Sequence, residues 1–251
     1  MITAYPTVNA ILEMLLSDVD EVLENRFTGL YLYGSLANGD FDPERSDIDF
    51  LVVTDGELPD AILPSLAAMH ARIAASGSLW AKRLEGSYIP KQALRRYDPD
   101  HANHPSIGVD WGFGVNGHGS DWIIQRHIIR EQGVVIACPP PRTLIDPVSQ
   151  EDLRRAVLET LHGWWAEQLS QPDRLRVREY QAYAVLTMCR ALYTLEKGGI
   201  VSKPVAANWA KQALDARWKG LIERAGAWRE EDGIDDLQET LDFIRYVLIL
   251  T

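Results

Sequence analysis

The stretch GLYLYGSLANGDFDPERSDIDFLVV, residues 29–53, decides the fold. Its two ends are short apolar runs rich in β-formers, which predicts strands over residues 27–33 and 47–54. The polar middle, residues 38–46, holds Gly39, Asp40, Asp42 and Pro43 and predicts a loop. Side chains alternate faces along a strand, so Asp47 and Asp49 share one face while Ile48 and Phe50 point into a core. Their α-carbons would stand about 6.6 Å apart, close enough for both carboxylates to converge on one point. Two anions held together repel, and a hard cation between them relieves the repulsion; carboxylates with room for water and phosphate oxygens suit magnesium. Upstream, Gly34-Ser35 ends the first strand and opens a helix. The N–H groups left free at a helix start, with the serine hydroxyl, can hold a phosphate. A D-x-D tripeptide alone also occurs in sugar-nucleotide glycosyltransferases. Joined to a Gly-Ser cradle on the preceding strand, it is the equipment of nucleotidyl transfer.

Working outward, the chain keeps an α/β character as far as Pro147. Val8, Ile11, Leu12, Leu15, Val19, Val22 and Leu23 fall at helical spacing. Helices are also predicted over 59–75 and 120–131, and strands over 80–89, 106–113 and 134–137. The polar chain over 97–105 reads as irregular. After Asp146-Pro147 come five helical stretches and no convincing strand, over 153–169, 180–195, 205–214, 218–228 and 235–250. The expected class is therefore α+β. Residues 1–147 would form a nucleotidyltransferase α/β domain with a mixed sheet, and residues 148–251 an all-helical bundle.

Composition limits the partners. The 251 residues can bury a large core without disulfide or metal staples. With 36 acidic and 25 basic residues the net charge is −11, which disfavours nucleic acid and anionic membranes and suits a small cationic partner. Cys138 and Cys189 match neither a metal-ligand spacing nor a disulfide framework. No targeting leader and no bilayer-length apolar run is evident, so the expectation is a cytoplasmic monomer.

A phosphoryl-transfer site needs a third carboxylate, as metal ligand or as the base that takes the acceptor's proton. Glu85 is the sole acid within residues 66–97 and lies on the predicted third strand. The competing reading is a surface glutamate on an edge strand.

With these residues in place, the chain resembles the DNA polymerase β-type nucleotidyltransferase superfamily. More narrowly it resembles the streptomycin–spectinomycin adenylyltransferases, the aminoglycoside-modifying branch with a helical second domain. The narrower likeness rests on the back half: VLTMCR at 185–190, KGGIVSK at 197–203 and VAANWA at 205–210, close to the family's VLTLSR … GKI..K.VAA.WA signature. The resemblance implies that Asp47 and Asp49 bind magnesium, with Glu85 as base and a further metal ligand. It implies that Gly34, Ser35 and Ser46 meet the phosphates of ATP, and that Arg190 and Lys203 reach the triphosphate from the helical half, which completes the ATP and acceptor sites. Asp121 matches a nucleotide-contacting aspartate; capping its own helix with Ser120 is the equal alternative. Trp111 falls where the family has a tryptophan beside the drug, with buried packing as the alternative.

Three positions depart from the family. Its acidic cluster ahead of VLTLSR is replaced by Tyr180-Gln181-Ala182-Tyr183, with the acid displaced to Glu179. Trp228 stands for a tyrosine near the nucleotide, and Gly86-Ser87-Tyr88 follows Glu85. His101-x-x-His104 reads as a solvated loop, Trp164-Trp165 as helix core, and the Gly-rich 112–119 as a mobile loop near the acceptor. The function implied is transfer of AMP from magnesium–ATP to a hydroxyl of an aminoglycoside. Adenylylation of another small molecule or of a protein, as in toxin–antitoxin systems, stays open, as does a silent nucleotide-binding module.

Overall fold

Apolar residues every three or four positions wind Pro6–Leu23 into α1, which starts on a proline whose missing N–H costs nothing there. Then follow β1 (Phe27–Leu32), the short α2 (Gly34–Asn38) and β2 (Ile48–Thr54). The chain continues through α3 (Leu63–Ala74), β3 (Leu84–Pro90), α4 (Lys91–Arg95), β4 (Asn103–Gly108) and β5 (Gly112–Gly117). Helix α5 (Asp121–Gln132), strand β6 (Val134–Ala137) and α6 (Pro141–Leu144) complete the first part. This computed structural model describes residues 2–229 and 235–251, and the chain divides into two compact units, Met1–Pro147 and Val148–Thr251.

The first unit is built on one mixed sheet in the order β5-β4-β3-β2-β1-β6. Only β2 and β3 run parallel, because α3 carries the chain back between them; every other pair is antiparallel. Leu30, Leu32, Ile48, Phe50 and Val52 join Leu12, Leu15, Leu66 and Met69 in a core between sheet and helices. Phe50 is fully buried there, and its truncation to alanine would cost about 3–5 kcal/mol. That burial fixes the face on which its neighbour Asp49 must lie.

Two predicted strands are corrected. Residues 79–82 form a 3₁₀ turn, because Trp80 drives its ring into the core and donates Nε1–H to Thr7 Oγ1 at 3.1 Å. The single strand expected over 106–113 is instead a hairpin. Its first strand begins at Asn103, inside the stretch read as irregular, and its second is made from the Gly-rich run read as a mobile loop. Gly112, Gly114 and Gly117 mask the strand in the sequence, while the cross-strand pairs Ile107–Phe113 and Pro105–Val115 supply its packing.

The hairpin also buries two histidines. His104 is 1% exposed, and among the described residues neither of its ring nitrogens has a hydrogen-bond partner. His118 stacks on Trp122 at 3.9 Å and meets Ser87 Oγ through Nε2 at 3.1 Å. Burial, then the Arg126 guanidinium, holds the pKa of His104 down at about 4, and burial, then His104 and Arg126, holds that of His118 down at about 3. Both are depressed below the unfolded value near 6.5, so their contribution to stability is complete above that pH and is lost as pH falls toward 4 and 3. We predict a loss of about 2 kcal/mol for each between pH 7 and pH 5, read by chemical denaturation. His104→Leu, which sacrifices no hydrogen bond, should flatten that slope. An equal slope in parent and variant would contradict the assignment.

The second unit comprises α7 (Gln150–Thr160), α8 (Ala166–Ser170), α9 (Arg178–Lys197), α10 (Lys203–Ala213), α11 (Lys219–Ala227) and α12 (Leu237–Leu250). Helix α9 is central, with α7, α10, α11 and α12 packed against it. Gly198, at φ +74°, ends it in the left-handed conformation. The predicted helix over 153–169 is interrupted by a π turn at Leu161–Trp165. That turn sends Trp165 into the core at 2% exposure and leaves Trp164 at 42%, so only one of the paired tryptophans is core. Among the described residues no helix is long and apolar enough to cross a membrane.

Candidate active site

The site of the first unit forms where β1 ends and β2 and β3 begin. The chain leaves β1 at Tyr33, whose N–H donates to the Asp49 carbonyl at 3.1 Å. Gly34 then takes φ +63°, and a Cβ there would fall 1.9 Å from Asp49 Oδ2. Only glycine lets the backbone lie directly against that carboxylate. The close approach joins the two halves of the sequence motif, bringing the start of α2 onto the carboxylate of β2.

The parallel register then sets Glu85 directly beside Asp49. Asp47 lies one residue before β2 and is half-buried, like Asp49, while Ile48 and Phe50 are fully buried. Tyr33 reports how crowded with charge this corner is. Burial, then Asp49, Glu85 and Asp121, push its phenol well above the ordinary tyrosine value. Asp121 opens α5; burial raises its pKa, while the N–H groups of residues 119, 121 and 122 and Arg126 draw it down. Ser120, its expected capping partner, makes no side-chain cap bond.

Glu85 has a second function in the fold. Its Oε1 accepts the Val109 N–H at 3.1 Å and so ties down the β4–β5 turn that carries Trp111. The Trp111 indole lies over Gly108, where any Cβ would come within 2.2 Å of the ring. Trp111 is 55% exposed, so the buried-packing reading fails for it. Ser35 sits half-buried in the first turn of α2. Ser46 Oγ accepts the Asp42 N–H at 2.9 Å, which leaves its own hydroxyl proton to donate.

Among the described residues no three His, Cys, Asp or Glu side chains converge to hold an ion unaided. Magnesium commonly uses one or two carboxylates and completes its shell with water and substrate phosphates. The oxygen-only donor pair Asp47 and Asp49 fits that habit.

In the second unit Arg190 lies half-buried on α9 and Lys203 is the first residue of α10, which packs on α9. Tyr183 precedes Arg190 by two helical turns, so both lie on one side of α9. The Lys203 ammonium stands 4.4 Å from the centre of the Tyr183 ring. Lys203 therefore stands against α9 at Tyr183. Glu179 is exposed in the first turn of α9, and Trp228 is buried at the end of α11.

Sequence reasoning missed Tyr33, the Val109 N–H and Tyr183. The first had a signal, since it immediately precedes Gly34-Ser35; the others depend on a hairpin turn and a helix pairing that no local pattern announces. A test of the corner follows from Gly34. Its replacement by alanine should cost about 1–2 kcal/mol through φ alone and also displace Asp49. A lower thermal midpoint together with lost transfer is expected, and parent values of both would contradict the close approach.

A family model described as the nucleotidyltransferase domain matches residues 16–93, and one described as the aminoglycoside adenylyltransferase carboxy-terminal domain matches residues 143–248. The chain thus joins a nucleotidyltransferase domain to an aminoglycoside adenylyltransferase carboxy-terminal domain. It is an enzyme of the nucleotidyltransferase type. It is 28% identical over 246 residues to the aminoglycoside (3'') (9) adenylyltransferase of Escherichia coli, covering 91% of this chain and 89% of the relative. It is 24% identical over 220 residues to the spectinomycin 9-adenylyltransferase of Campylobacter jejuni, covering 84% and 81%. A crystal structure of spectinomycin adenyltransferase from Enterococcus faecialis with ATP and spectinomycin superposes with a TM-score of 0.77 at 18% identity. That match covers 96% of this chain and 99% of the other, and it establishes a shared fold.

Proposed function

We propose that this adenylyltransferase moves AMP from ATP to a hydroxyl of an aminoglycoside of the streptomycin or spectinomycin type and releases pyrophosphate. One observation carries the reading: the Gly34 backbone, the Asp49 carboxylate and Glu85 meet at one end of three adjacent strands. A phosphate cradle, a metal-binding carboxylate and a base are then in reach of one another. The net charge of −11 favours a cationic acceptor.

In this mechanism Gly34, Ser35 and Ser46 hold the phosphates. Asp47 and Asp49 would hold magnesium, with Glu85 as a further ligand, and the ion when bound supplies charge stabilisation to the transferring phosphoryl group. Glu85 takes the proton of the acceptor hydroxyl, whose oxygen bonds to the α-phosphorus as the bond to pyrophosphate breaks. Val109 N–H holds the Glu85 carboxylate in one orientation for that task. Arg190 and Lys203 neutralise the triphosphate and the departing pyrophosphate. Asp121 and Trp228 complete the nucleotide contacts, while Trp111 and Glu179 serve the acceptor. The two units take the parts of catalytic domain and helical partner that completes both sites.

Resistance profiling tests this in cells. A susceptible bacterial host expressing the chain should survive raised streptomycin or spectinomycin, and one expressing Asp49→Asn should not. Equal susceptibility of both to every aminoglycoside tried would move the acceptor outside this class.

A further inference from the structure

We propose that Tyr183 is a positioning residue for Lys203, and that its ring face sets magnesium–ATP affinity by holding the ammonium where the triphosphate needs it. The inference rests on the reading that Lys203 serves the nucleotide. A lysine is a poor fixed cation, because its charge rides on a flexible four-carbon stem with many rotamers. Here the ammonium stands 4.4 Å from the Tyr183 ring centre, well inside the range of attraction between a cation and an aromatic face. The ring is itself held, packing on Tyr180 at 5.4 Å and on the buried Trp165 at 6.0 Å. Next in the chain, Pro204 stiffens the first turn of α10.

The chemistry of the partner matters. An aromatic face attracts an ammonium through its ring quadrupole and narrows the positions the lysine stem can take. Tyr183 is 39% exposed, which places the pair at the surface rather than in the core. Arg190, two turns further along the same side of α9, adds the second cation. Tyr183 and Tyr180 occupy the stretch where the sequence departs from the family's acidic cluster, so a direct contact between Tyr183 and the acceptor is the outcome to exclude.

Calorimetry of magnesium–ATP binding to the full chain decides it, with KM for both substrates measured alongside. Lys203→Ala should weaken ATP roughly 10- to 100-fold, the loss of one charge-assisted contact. Tyr183→Leu should weaken ATP about three- to tenfold, Tyr183→Phe less than about twofold, and Tyr183→Leu should add almost nothing in the Lys203→Ala background. Pentafluorophenylalanine at position 183 keeps the shape of a ring but reverses the charge of its face. It should match the leucine variant, and it keeps the test decisive if leucine fails to fold. Parent-like ATP binding by the fluorinated variant, additive losses in the double variant, or a change confined to acceptor KM would each overturn the positioning role. Parent-like ATP affinity in Lys203→Ala would instead overturn the nucleotide reading of Lys203, and the role of Tyr183 with it.

Discussion

Asp49→Asn should leave the fold intact and remove transfer. The carboxylate lies against the Gly34 backbone and beside Glu85, so it meets both the cradle and the base strand. Asparagine keeps the shape and one oxygen but not the charge that would hold magnesium against the phosphates. A rate loss of at least roughly 10³-fold is expected, about 4 kcal/mol of barrier. Asp47→Asn should behave similarly. Removing one of several neighbouring anions relieves repulsion, so without magnesium the thermal midpoint should hold or rise. Activity within about tenfold of the parent would end the metal assignment.

Glu85→Gln should lower the chemical step by roughly 10²–10⁴-fold, the usual cost of losing a general base. The substitution is clean because glutamine retains a carbonyl oxygen for the Val109 N–H, so the turn bearing Trp111 stays tied. Glu85→Ala releases that turn as well and should also raise the acceptor KM. The pair of variants therefore separates proton removal from acceptor positioning. Should glutamine reduce ATP affinity by as much as it reduces rate, Glu85 is chiefly a metal or structural residue.

The corner of the site was legible because its information is local. Alternation fixes the face of Asp49, and an apolar strand ending in Gly34-Ser35 announces a turn; Asp47 falls just before the strand, beyond the reach of that rule. The same rules gave α1, β1, β2 and the helical character of the second unit, where periodicity is strong. They failed at the β4–β5 hairpin, whose second strand is so rich in glycine that its strand character comes from cross-strand packing. They failed again at residues 79–82, where the burial of Trp80 outweighs a strand-like run. Glu85 could be nominated as a lone acid, yet its register with Asp49 exists only because α3 makes the β2–β3 pair parallel. Tyr183 could not be found at all from spacing, because its meeting with Lys203 depends on how α10 packs on α9.

The chemistry proposed for this enzyme joins AMP to an aminoglycoside hydroxyl. The direct measurement is to incubate the chain with magnesium–ATP and streptomycin or spectinomycin, then follow pyrophosphate release while weighing the antibiotic by mass spectrometry. An antibiotic heavier by one adenylyl group is expected, formed in step with pyrophosphate and absent with Asp49→Asn. Consumption of ATP with both antibiotics unchanged, or no pyrophosphate at all, would contradict it.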